Sequence, residues 1–96
     1  MAANCLALVE SRLAEAARGS VEALYDLGMV FSCGAEGLGI DFVEAHKWFN
    51  LAALRGDERA QECRSDIAAD MTTREIAEAQ RQARAWLSGG GQLRAA

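Results

Sequence analysis

The stretch Ala16–Ala23, AARGSVEA, returns 37 residues later as Ala53–Ala60, ALRGDERA. Four positions coincide: Ala16 with Ala53, Arg18 with Arg55, Gly19 with Gly56 and Ala23 with Ala60. Each copy reads as a helix end, a glycine and a helix start. The glycine takes the left-handed conformation that terminates a helix, and Ser20 or Asp57 then offers a side-chain oxygen to the unpaired N–H groups of the next one. A helix–turn–helix boundary recurring at this spacing fits one unit of a stacked repeat array.

Working outward, similar punctuation divides the rest of the chain into five helices. The first is expected from about Cys5 to Arg18, with Asn4 as its N-cap and Gly19 as its terminator. The second opens at Ser20 and stops at Gly34. Asp41 with Glu44 resembles a capping box for the third, which Gly56 closes. Asp57 caps the fourth. Thr72 and Glu75 form a Thr-x-x-Glu box for the fifth, which ends near Leu87. The remaining residues 88–96, SGGGQLRAA, read as a flexible tail.

Apolar residues recur at helical spacing in each segment. The stripes are Leu6, Val9, Leu13 and Ala17; Val21, Leu24, Gly28 and Phe31; Phe42, Ala45, Phe49 and Ala52; Ala60, Cys63 and Ile67; and Ile76, Ala79, Ala83, Trp86 and Leu87. Trp48 and Leu51 lie off the third stripe, so the third helix is expected to be central and buried on more than one side. Connections of one or two residues imply antiparallel neighbours. Gly28 falls mid-helix, where glycine costs about 1 kcal/mol against alanine. It is tolerable there if another helix approaches too closely for a side chain, with Ala45, Ala52 and Ala53 as the small partner surface and Phe31, Trp48 and Phe49 filling the remaining space.

With 96 residues the chain supports one hydrophobic core. Apolar residues make up 51%, aromatics 6%, and proline is absent, a helix-forming composition with a small-residue core. The net charge of −4 argues against a partner held through nucleic-acid phosphates. No apolar run of membrane-spanning length occurs, and the N-terminal residues lack the basic start of a secretory signal, so a cytoplasmic location is expected. Cys5, Cys33 and Cys63 are scattered and contain no Cys-x-x-Cys pair.

These features resemble the Sel-one-like repeat, a relative of the tetratricopeptide repeat. The match runs through Ala23, Leu27, Gly28, Phe31 and Gly34, then Asp41, Ala45, Trp48, Phe49, Ala52, Ala53 and Gly56, closing at Ala60; EAHKWFNLAALRG, Glu44–Gly56, is the closest part. The loop from Gly34 to Asp41 is one residue longer than the family's unit. The second copy decays, with Gln61, Arg64 and Ser65 where the first has Leu24, Leu27 and Gly28. The resemblance implies an all-α fold of αα-hairpins in a right-handed superhelix. Residues 1–20 would be the closing half of a repeat or an N-terminal cap, 21–56 a full repeat, and 57–87 a divergent capping hairpin.

The same resemblance implies a non-enzymatic adaptor or scaffold that binds a peptide or partner domain. Glu22, Asp26 and Met29, off the core side of the second helix, are the expected contacts. Two repeats are short for a stable array, so association as a homodimer is also expected. The glycines of CGAEGLGID, Cys33–Asp41, do not argue for a nucleotide: they follow a helix rather than a strand, no Gly-Lys-Ser/Thr occurs, and Asp41 at the helix start would repel phosphate. They are expected to turn the chain. His46 is the single histidine, without the companions of a metal site, and no cofactor is expected. The alternative reading is a small enzyme or small-molecule binder using Cys33 or His46; a further one is a structural, dimeric end-piece of an assembly.

Overall fold

A computed structural model describes residues 2–34 and 39–89, with side chains from Ala7 onward. The chain forms five α-helices: α1 Ala2–Ala17, α2 Val21–Cys33, α3 Phe42–Leu54, α4 Glu58–Ala68 and α5 Thr73–Gly89. No strand occurs among the described residues. Two expected boundaries shift. Asn4 lies inside α1 instead of capping it, and α5 runs two residues past Leu87 through Ser88 and Gly89. The roles expected of the Cys5 and Leu6 side chains, of a turn at Gly37, and of a tail past Gly89 lie outside the described residues.

The two copies of the opening motif fold alike. Gly19 and Gly56 both have φ of 96°. The Gly19 N–H donates to the Ala16 carbonyl at 2.9 Å, and the Gly56 N–H to the Ala53 carbonyl at 2.9 Å. Ser20 then accepts from the Ala23 N–H at 3.1 Å, and Asp57 from the Ala60 N–H at 3.1 Å. The turns also touch: Arg55 of the second donates from Nη1 to the Gly19 carbonyl of the first at 3.4 Å.

The remaining caps divide into a half and a whole. Asp41 accepts from the Glu44 N–H at 3.1 Å, but the Glu44 carboxylate does not reach back. It turns to Lys47 and to the Trp48 indole, and the Asp41 N–H donates to the Phe31 carbonyl instead. At α5 the box closes in both directions, Glu75 N–H to Thr72 Oγ1 at 3.1 Å and Thr72 N–H to Glu75 Oε1 at 2.9 Å. Thr72→Ala removes one of these bonds, and a loss of about 1 kcal/mol is expected in a circular-dichroism melt. An unchanged melt would show that the cap does not hold this boundary.

Helix α3 is the hub and packs against α2, α4 and α5, while α1 packs against α2. Its Ala45, Trp48, Phe49, Leu51, Ala52 and Ala53 are all buried. The close approach at Gly28 is present, although the surface that meets it is not alanine. A Cβ at Gly28 would lie 2.5 Å from Phe49 Cδ1 and Cε1, so the ring itself occupies the space that the missing side chain leaves. Phe49 in turn meets Tyr25 of α2, with ring centroids 5.9 Å apart.

Helix α5 docks chiefly on α3, and α4 and α5 are not among the extensively packed pairs. The cause is visible in the sequence of α4, where Ala60 is the one buried residue. Gln61 and Ser65 are exposed at the positions where α2 buries Leu24 and Gly28, so the apolar side of α4 is limited to Ala60, Cys63 and Ile67. On α5, Ala79 and Ala83 are buried, and Trp86 stands edge-on to Trp48 of α3 with centroids 4.8 Å apart and planes at 80°.

Candidate interaction face

Glu22, Asp26 and Met29 recur at one-turn spacing along α2, yet they do not form one open surface. Glu22 is exposed, its side chain 65% accessible, and its Oε1 accepts from Arg59 Nη2 of α4 at 2.9 Å. Asp26 is half-buried and takes Arg12 Nε of α1 at 3.0 Å. Met29 is half-buried and packs against the core. Glu22 is therefore the one of the three that faces solvent.

Arg59 organises the surface around Glu22. It donates from Nε to Asp57 Oδ1 at 3.2 Å and from Nη2 to Asp57 Oδ2 at 2.8 Å, and its guanidinium carbon lies 4.0 Å over the Tyr25 ring. Asp57 thereby both caps α4 and anchors Arg59, and the bonds from Arg59 hold its carboxyl below the ordinary range. Burial pushes the Tyr25 phenol up, as it does the neighbouring Cys63 thiol. Arg59 stays on the exposed side of α4 while making these contacts. Its signal was the repeat offset: Glu22 and Arg59 stand 37 residues apart, at equivalent positions with opposite charge.

Comparison with protein-family models, curated proteins and solved structures gave no match.

Arg64 is the other arginine of α4, and it also turns inward, donating from Nη1 to Asn50 Oδ1 of α3 at 2.5 Å. The carboxylates of Glu58, Glu62 and Asp66 remain on the exposed side of that helix. Gln61, Glu62, Ser65 and Asp66 line a shallow, open depression.

Cys33 and His46, the residues of the alternative chemical reading, occupy opposite environments. Cys33 is exposed at the end of α2, with Ser32 Oγ 4.0 Å from its Sγ. His46 is buried, and no hydrogen bond joins the two residues. Among the described residues, no three acidic, histidine or cysteine side chains are grouped to hold a metal ion, and no helix is long and apolar enough to cross a membrane.

Proposed function

We propose that the chain is a non-enzymatic protein–protein interaction module of the αα-hairpin repeat kind, acting in the cytoplasm as an adaptor or scaffold. The observation that carries this reading is the pair of matching turns at Gly19 and Gly56, with equal φ and equivalent bonds at a 37-residue offset. Equivalent turns orient successive hairpins alike, which is how arrays that resemble the Sel-one-like repeat generate an extended surface in a right-handed superhelix. The face we assign to a peptide or partner domain is that of α2 around Glu22, with Asp26 and Met29 forming its supported floor.

Glu22→Lys tests this face with little risk to the fold, because an exposed ion pair contributes little to stability. The wild-type protein is expected to retain a specific partner from extract of its native cell. The variant is expected to lose at least about ten-fold of that recovery, a difference of 1.4 kcal/mol in binding, while melting like the parent. Equal recovery by both chains would overturn the assignment.

A further inference from the structure

One titratable side chain is sealed inside this small core. His46 on α3 is 3% exposed, and its Nδ1 has no hydrogen-bond partner. A neutral imidazole tolerates such a site at the cost of one unmade bond. An imidazolium has two N–H groups to satisfy and a charge that burial penalises. Burial, and then the positive charge of Arg64, hold this ring below the ordinary value of 6.5. Arg64 is fixed on that side of α3 by Asn50, one turn beyond His46.

Among the described residues, no carboxylate acts on the ring. Three helices pack against α3, and from α4 the charged group acting on His46 is Arg64. Asp57 of the same helix is engaged by Arg59, and Glu62 and Asp66 act on Cys63. On α2, Glu22 and Asp26 are held by Arg59 and Arg12. On α5, Glu78 is held by Arg81, and Glu75 closes the cap at Thr72. Glu44, on α3 itself, is occupied by Lys47 and the Trp48 indole.

We propose that His46 is an acid-sensitive latch on the seam between α3 and α4: a proton on its ring places a second cation beside Arg64, and α4 separates from α3 so that both reach water. Helix α4 is the element that yields because it is the shortest, 11 residues, and buries only Ala60. The direction follows from linkage. The folded state favours the neutral ring, so the latch is fully closed above the unfolded-state value of 6.5 and is released as pH falls from there through the lower folded-state value. This inference does not depend on the interaction reading above.

The chain has a single histidine, so the titration is clean. Ordinary carboxylates change charge near pH 4, below the window. Amide hydrogen exchange of the full chain is compared at about pH 7.5 and pH 5, corrected for the intrinsic pH dependence of exchange. Amides of α4 are expected to lose at least about ten-fold more protection than those of α2, and His46→Leu is expected to abolish that difference. Should the variant fail to fold, the ring proton resonances of wild-type His46 decide, expected to titrate below 6.5 together with α4 opening. Titration at the ordinary value without α4 opening, equal loss over all helices, or α4 opening retained in the leucine variant would each overturn the latch.

Discussion

Gly28→Leu is expected to destabilise this protein by about 3 kcal/mol or more, read as a lowered midpoint in a thermal melt. The reason is geometric and local. Even the first carbon of a side chain at this position would lie 2.5 Å from two atoms of the Phe49 ring and 2.9 Å from a third. Real contacts of that kind do not occur, so either the ring or the helix must move. Phe49 is fully buried, with Tyr25 packed on it, so the ring has little room to yield. Separating α2 from α3 loosens the most extensive helix pair of the fold. Overpacking of a core typically costs 1–3 kcal/mol and occasionally more, and a leucine adds three carbons beyond the one that already clashes. Small domains hold only about 5–15 kcal/mol in total.

Gly28→Ala separates the clash from the helix preference. Alanine gains about 1 kcal/mol as a helix former, so a net loss in thermal melts measures the contact itself. Adding Phe49→Leu to Gly28→Ala should recover part of that loss, because the smaller side chain vacates the space. A Gly28→Leu protein that melts like the parent would mean that α2 and α3 are not in contact at this point.

That glycine also shows what a sequence exposes and what it hides. A helix-breaking residue amid a helical stripe announces a close approach, and Gly28 and Phe49 could be placed in the core from spacing alone, whereas Leu27 entered only through the resemblance to the repeat family. The caps at Ser20, Asp41, Asp57 and Thr72 were legible because each is a local exchange within four residues, written in adjacent side chains. The docking of α5 on α3 was not legible in that way. It follows from what α4 lacks, and the preference for Trp48 over the polar face of Gln61 and Ser65 is a comparison across the whole fold. The expected contact face was read as three equivalent positions on α2. What that reading could not show is that Arg12 and Arg59, long side chains from two other helices, take its carboxylates at 3.0 and 2.9 Å. A helical wheel of α2 contains neither arginine. His46 was legible as a lone histidine without metal companions, but its burial depends on how the other helices pack around α3.

Trp48→Ala is expected to release α5 from the rest of the protein. The Trp48 ring meets Trp86 edge-to-face, its Nε1 donates to Glu44 Oε1 at 3.0 Å, and Lys47 lies 4.6 Å over its face. The fully buried residues of α5, Ala79 and Ala83, are small, and Trp86 and Leu87 are its large side chains packed against the core. Truncating a buried Trp or Phe to alanine costs about 3–5 kcal/mol, and here most of that loss falls on one seam. Amides of α5 should therefore exchange faster by at least about a hundred-fold, while those of α2 follow the smaller change in global stability. The chain has two tryptophans, so the variant reports through Trp86 alone. Freed from its partner, that indole should emit at longer wavelength. Trp48→Phe keeps a ring against Trp86 and loses only the bond to Glu44, so it should hold α5 in place with a smaller loss. Unchanged α5 exchange and unchanged Trp86 emission in Trp48→Ala would place the anchor elsewhere, in the alanine stripe of Ala79 and Ala83 against α3.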